Sequence, residues 1–424
     1  MKKRIYFLSV LLLALNCNSQ NLTLTQCLED AKEHNRTLKN AALEIQMAGE
    51  QKSEAFTRYF PQISANVMAL RTFDKMLPKM DALTGLYGAT ATLIQPIFAG
   101  GQIITGNKLA GINEDVTKLQ LQLKEKDIMQ KVTENYWQIA RLEYDLNTLK
   151  ADSVQLSAIY KQVQDYVDAG VTTRNDLLKV KLHQQELAKK RLAKENVHTV
   201  LILLLAKETG HVGEHICIFD SLSTTPPSPG SLYVNPLDAV QQREELQLAM
   251  KGVEACSQQV RMERGKYLPS VAVGVGGGHI GIGGVPQTLQ TMLNPNINNG
   301  MVFGTVNVPI SDWWGGSHAI RRKKMALQEA KNTHDDAQEQ LIIDIQSAWS
   351  DLTEAYGQIK ISEASVSESD ENLRMSRDQY SAGTEALTDL LDAETINQQT
   401  HNQLSQAYAS YAIKVADYLR KTCR

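Results

Sequence analysis

The stretch Lys266-Tyr267-Leu268-Pro269-Ser270-Val271-Ala272-Val273-Gly274-Val275 decides how the rest of this 424-residue chain is read. It opens a block, residues 267–310, with no Asp, Glu, Lys or Arg, where a charged fraction of 21% would place about nine. Apolar residues alternate within it: Val271, Val273 and Val275, then Val302, Val306 and Val308. A period of two is the mark of a strand. Gly276-Gly277-Gly278 moves the phase to Ile280 and Ile282, as a bulge does. Residues 82–107 are equally free of charge, and Ala89, Ala91 and Leu93 alternate there, as Ile63, Ala65 and Val67 do shortly before. Strands of about ten residues, weakly alternating and uncharged on one face, are the pattern of an outer-membrane barrel; a soluble β-sandwich is the alternative. Four strands cannot close a barrel, and open edges do not survive in lipid. A chain that spans the membrane this way must oligomerise.

The block has a twin. Arg58-Tyr59-Phe60-Pro61-Gln62-Ile63 parallels Lys266-Tyr267-Leu268-Pro269-Ser270-Val271 at an offset of 208, which Leu38 and Leu246 share. Further on, Pro96 and Pro309, Tyr136 and Trp349, and Ile139 and Leu352 stand 213 apart. The same offset relates Ala169-Gly170 with Asp176-Leu177-Leu178 to Ala382-Gly383 with Asp389-Leu390-Leu391. The chain is therefore one unit written twice, 20–222 and 223–424.

Between the strand blocks lie charged, heptad-spaced helices. Ile139, Leu142, Leu146, Leu149, Ser153, Leu156, Tyr160 and Val163 alternate steps of three and four, and so do Leu404, Tyr408, Tyr411, Val415 and Tyr418. Such a seam faces another helix. The spacing predicts, in the first repeat, a helix over about 24–58, strands near 61–70 and 87–97, a long helix over 102–169 and a return helix over 172–208. In the second it predicts a helix over 236–266, strands near 270–284 and 300–310, a long helix over 316–382 and a return helix over 386–421. Each long helix would reach ~100 Å at about 1.5 Å per residue. Two shorter helices end to end match it. Such a body suits a crossing from a membrane to a distant partner, not a pocket.

Lys2, Lys3 and Arg4 followed by the apolar run Ile5–Leu15 and then Asn16-Cys17-Asn18-Ser19 read as an export signal over 1–19, cut after Ser19. Cys17 as a lipidated residue is the alternative, although Ala14-Leu15-Asn16 is a poor lipobox. No later apolar run is long enough to be a membrane helix, the longest being Val200–Ala206. The net charge of −3 gives no reason to expect nucleic acid. Cys27, Cys217, Cys256 and Cys423 are too few and scattered for a disulfide scaffold or zinc site. Cys217 and Cys423 could pair; free, buried thiols are the preferred reading.

The ordered motifs resemble the TolC family of outer-membrane efflux channels. Leu22-Thr23-Leu24 with Cys27-Leu28, Ala31, Asn35 and Leu38 looks like its N-terminal helix, and Phe60-Pro61 like its approach to the first strand. Gln95-Pro96-Ile97-Phe98-Ala99-Gly100-Gly101 resembles its strand-to-helix corner; Tyr380-Ser381-Ala382-Gly383 with Thr388-Asp389-Leu390-Leu391-Asp392-Ala393 resembles its periplasmic tip. The resemblance covers essentially the whole chain after the export signal. It implies a mixed α and transmembrane β fold. A homotrimer would form a twelve-stranded barrel in outer-membrane lipid, continued by an α-helical coiled-coil tunnel into the periplasm, with a collar near 208–235. It implies a passive exit channel for a tripartite efflux or type I secretion system, with no catalytic residues, cofactor or metal. The helix-tip turns at Gly170 and Gly383 would meet a periplasmic adaptor (membrane fusion protein) and an inner-membrane pump. Pro61, Pro96, Pro269 and Pro309 would mark the corners where the chain enters and leaves the barrel.

The resemblance also implies a gate. Asp389 and Asp392, three apart on one helix face, would become a ring of carboxylates under three-fold symmetry. Tyr380 and Asp176 match positions that latch neighbouring helices through a hydrogen bond. Where the best-known members place an Arg, this chain has Glu385, and Arg174 is the candidate substitute cation.

Two other motifs carry less. His211-Val212-Gly213-Glu214-His215 fits an H-x-x-E-H zinc pattern, but glycines flank the first His past a helix end. Gly276, Gly278 and Gly281 fit G-x-G-x-x-G, yet Ile282-Gly283-Gly284-Val285-Pro286 follows rather than a helix. Trp313-Trp314 reads as an interfacial anchor or as packing in the helix corner. The functional alternatives are a periplasmic coiled-coil adaptor, which needs no uncharged strand block, and an exported hydrolase built on His211 and His215.

Overall fold

The computed structural model describes residues 20–71, 85–214, 216–220, 222, 228–283 and 296–424. The expected export signal (Cys17 and Ser19 with it), His215 and Val285-Pro286 lie outside the described residues. In chain order the elements begin with β1 (Gln20–Leu22), α1 (Leu24–His34), α2 (Arg36–Thr57), β2 (Gln62–Arg71) and β3 (Gly85–Ala99). Then come α3 (Gln102–Asp168), α4 (Arg174–Thr209), β4 (Ile216–Ile218), α5 (Pro236–Val240) and α6 (Glu244–Gly265). The second repeat ends with β5 (Ser270–Gly283), β6 (Asn296–Asn307), α7 (Trp313–Ser381) and α8 (Leu387–Lys421). The compact units cut across the repeats: one comprises 42–120 and 245–337, the other the segment up to Ala41 with 121–244 and 338–424.

The first unit holds the sheet, antiparallel in the order β2-β3-β5-β6, so β2 and β6 are its edges. Register puts Ile63, Leu93, Val275 and Val302 in one row on one face. The next row, on the opposite face, is Ser64, Thr92, Gly276 and Met301; the register runs unbroken through Gly276-Gly277-Gly278, so the bulge expected there is absent from the described strand. Along β3, Tyr87, Ala89 and Ala91 are exposed while Leu86, Gly88, Thr90 and Thr92 between them are half-buried. The apolar face is thus the more open one.

The proline corners need correction. Pro61 and Pro269 stand just before β2 and β5, but Pro96 lies inside β3, which runs on to Ala99. Its missing N–H is accommodated by a register shift between Pro96 and Phe98. Pro309 follows a β6 that ends at Asn307, short of the expected 310. The helix expected from 316 begins at Trp313, whose Nε1 donates to the Tyr267 carbonyl at 2.9 Å; Trp314 is 84% exposed.

The second unit is helical. Thr23 and Gln26 form a reciprocal capping box that starts α1, the Thr23 hydroxyl accepting from Gln26 N and Gln26 Oε1 accepting from Thr23 N. The helix expected over 24–58 breaks at buried Asn35, whose Nδ2 donates to Glu208 Oε2 at 2.8 Å and to the Glu208 carbonyl at 3.2 Å. The helix expected over 236–266 is likewise two, α5 and α6. A core of Cys27, Ala31, Val132, Tyr136, Ile139, Leu205 and Ala409 lies within this unit. Tyr136 is fully buried, and its hydroxyl donates to Asp220 Oδ2 at 2.7 Å, where Leu24 N also donates. This anchor holds the short parallel β1–β4 pair, which sequence patterning did not foretell. Burial, with Asp220 close by, pushes the Tyr136 phenol above its ordinary pKa. None of the four described cysteines forms a disulfide, and only Cys27 is buried; Cys217 is exposed. Burial, with Asp30 and Asp220 nearby, pushes the Cys27 thiol up to about 12, so it is an inert core residue.

Candidate gate at the helix tips

Each tip is a helix ended by a left-handed glycine. At the first, Gly170 has φ +73°, its N–H reaching the Val167 carbonyl and the Val171 N–H the Tyr166 carbonyl at 2.8 Å. At the second, Gly383 has φ +75°, its N–H reaching Tyr380 O and the Thr384 N–H reaching Gln379 O. A side chain at φ near +75° is strained, so both turns require glycine.

Below the turns, Leu156, Ile159, Val163 and Val180 pack with Leu373, Tyr380, Leu387, Leu390, Leu391 and Ala393 in one apolar cluster. This cluster orients α8. With Leu387, Leu390, Leu391 and Ala393 turned inward, Asp389 and Asp392 are both exposed on the other side of the helix. Asp389 also sits in the first turn, where the helix dipole favours a negative charge.

Asp176 is held differently. Its Oδ2 accepts from Thr172 Oγ1 at 2.6 Å and Thr173 Oγ1 at 3.2 Å, and its Oδ1 from Lys179 Nζ at 3.2 Å. The Thr172 hydrogen bond foremost, reinforced by Lys179, holds its carboxyl below the ordinary range. No hydrogen bond joins Tyr380 to Asp176. Tyr380 is buried with its ring 6.2 Å from that of Tyr166, and burial raises its phenol above the ordinary value. The cation beside Asp176 is Lys179, not Arg174, which is exposed. Lys179 stands three residues after Asp176, an i,i+3 spacing that the sequence itself carries. Glu385 folds against its own hairpin, its Oε1 accepting from Ser376 Oγ at 3.1 Å.

Above the cluster the same unit buries polar groups that no motif announced. Arg377 donates to Glu394 Oε1 at 3.0 Å, and Gln398 bridges Lys190 to Asp152, accepting at 2.6 Å and donating at 3.1 Å. Burial raises the carboxyls of both Asp152 and Glu394 above their ordinary range. At the zinc-like motif, His211 is bonded through Nε2 to Asp30 at 3.1 Å and through Nδ1 to Glu214 at 2.8 Å. Burial opposes charge on the ring, but those two carboxylates outweigh it and raise its pKa. Among the described residues no group of three or more His, Cys, Asp or Glu could hold a metal ion. None of their helices is long and apolar enough to cross a membrane.

The family profile described as "Outer membrane efflux protein" matches residues 27–199 and again 235–418, so the two matched segments follow the duplication. The chain belongs to the outer membrane efflux protein family. Among curated relatives, the outer membrane efflux protein BepC of Brucella suis biovar 1 (strain 1330) is 22% identical over 405 residues, covering 93% of this chain and 84% of that protein. The Campylobacter jejuni CmeC outer membrane channel superposes with a TM-score of 0.80 at 14% identity, covering 94% of this chain and 85% of the other. The Vibrio cholerae outer membrane protein VceC gives 0.76 at 14% identity, covering 94% and 95%. As an outer membrane efflux protein, the chain is an outer-membrane exit channel, and the family is one of transport conduits.

Proposed function

We propose that three copies close their sheets edge to edge, β6 of one against β2 of the next, into a twelve-stranded barrel. Their helices enclose a periplasmic tunnel whose tips form the gate. The tip turns at Gly170 and Gly383 meet a periplasmic adaptor, and an inner-membrane pump supplies the energy. The channel is passive. A periplasmic adaptor would have no use for a four-stranded sheet whose one charged residue is Arg71 at a strand end and whose two edges are open.

One observation carries the gate. Asp389 and Asp392 are exposed together on α8, opposite its buried side. Three-fold symmetry sets six such carboxylates around one axis. Unit charges 8 Å apart interact by about 2 kcal/mol at an effective dielectric constant near 20, and about a quarter of that in bulk water. Such a ring repels itself unless cations enter it, so it selects cations and resists tight closure.

Single-channel conductance in planar bilayers tests this, wild type beside the Asp389→Asn/Asp392→Asn double variant. A small cation-selective conductance that loses roughly fivefold in selectivity, about 1 kcal/mol, is expected. Unchanged selectivity would remove these residues from the gate and keep the duct. Absence of any conducting trimer would overturn the duct itself.

A further inference from the structure

The sheet has one face whose chemistry the gate reading does not use. Opposite the row of Ile63, Leu93, Val275 and Val302, the other face presents Ser64, Asn66, Thr90, Thr92 and Thr305 among apolar Met68, Leu70, Ile94 and Met301, and no described residue of that face is charged. In a closed barrel the more exposed face meets lipid, and the mixed face that carries the hydroxyls and the amide lines the passage. β5 adds only glycine to the middle of that lining: Gly274, Gly276 and Gly278.

Phe303 lies on this glycine strip. A Cβ built on Gly274 would stand 2.4 Å from Phe303 Cζ and 2.8 Å from Cε2, and one on Gly276 would stand 3.7 Å from Cε1. The ring is therefore flat against the wall, and Phe303 is half-buried while its neighbours Val302 and Gly304 are exposed. A phenyl ring standing upright would intrude into the passage by several ångströms, and three-fold symmetry would set three such rings around one axis.

We propose that Gly274 holds Phe303 against the wall and that this pair sets the bore of the outer end of the channel, which selects by size and not by charge. The proposal rests on the closed-barrel reading above. Aromatic rings also cover strand glycines simply to stabilise a sheet, and the same sheet supplies that control. Tyr87 covers Gly281 on the apolar face, where a Cβ on Gly281 would stand 2.3 Å from Tyr87 Cζ. Gly281→Val pushes a ring towards lipid; Gly274→Val pushes one into the passage.

The test introduces Thr305→Cys, on the passage face one inward position beyond Phe303, with Cys217, Cys256 and Cys423 replaced by Ser. A polyethylene-glycol maleimide is added outside intact cells, and trimer content is read from each variant by gel before labelling is compared. Gly274→Val should slow labelling about tenfold, Gly274→Val/Phe303→Ala should restore it, and Gly281→Val should leave it unchanged. Val306→Cys, on the other face, should resist the same reagent. Slowing that persists without Phe303, slowing by Gly281→Val, or no slowing by Gly274→Val would each overturn the proposal. Equal labelling of Val306→Cys and Thr305→Cys would overturn the assignment of faces. Loss of trimers in the Thr305→Cys parent alone would count against the closed barrel instead.

Discussion

The two tips are copies of one sequence plan, and they treat the same aspartate in opposite ways. At the offset of 213, Asp176 corresponds to Asp389. Asp176 is bonded by Thr172, Thr173 and Lys179. The positions matching those three partners in the second repeat are Glu385, Ala386 and Asp392. Every group that satisfies the carboxylate in one copy is replaced by one that cannot, and Lys179 is replaced by a second acid. The first tip spends its aspartate on closing its own turn. The second presents it outward. A duplicated chain thereby obtains a structural hairpin and a charged one from the same scaffold.

The apolar halves of the tips offer the sharpest way to break this comparison. Leu390 is 1% exposed, whereas its counterpart Leu177 is only partly buried. Leu390→Ala should destabilise by about 3 kcal/mol and Leu177→Ala by about half as much, read by denaturant unfolding in detergent. Equal losses would mean that the two tips pack alike. Next in size is a pH effect confined to the first tip. Because its hydrogen bonds depress the Asp176 pKa below the unfolded value of about 3.9, the stability it contributes is complete above roughly pH 4. It is lost as pH falls through the depressed value. Asp176→Asn should therefore cost about 1 kcal/mol at neutral pH, with the gap to wild type closing only in acid. A gap that closed near pH 6 would contradict the bonding described. The smallest effect belongs to Lys179→Ala. Its ion pair is partly exposed, so less than about 1 kcal/mol should be lost, and half-molar salt should shrink the difference further.

Features governed by local periodicity were legible before any coordinates. Three of the four sheet strands fall in the uncharged blocks, and β2 carries a charge only at its last residue, Arg71, because lipid tolerates little charge there; the long helices follow seams such as Ile139 to Val163, where burial repeats every three or four residues. What escaped depends on partners far along the chain. Asn35 interrupts a helical pattern because Glu208 is its hydrogen-bond partner. The β1–β4 pair is three residues long and is pinned through Tyr136 and Asp220, so neither strand has a pattern of its own. At the second tip, Asp389 and Asp392 stand out by spacing alone, whereas the bonding of Asp176 to Thr172, Thr173 and Lys179 is a matter of side-chain geometry.

The central pairing of the sheet, β3 with β5, joins strands from different repeats, with two long helices between them in sequence. This has a consequence for biogenesis. A chain secreted amino-terminus first delivers β2 and β3 as a bare hairpin with one edge unsatisfied, and nothing already exported can pair with it. The unit that will enter lipid can be completed only after β5 and β6 have followed. During that interval an aggregation-prone edge stands unpaired, and folding is paced by a late long-range encounter rather than by the helices. Duplication doubled the architecture but left neither half able to mature alone.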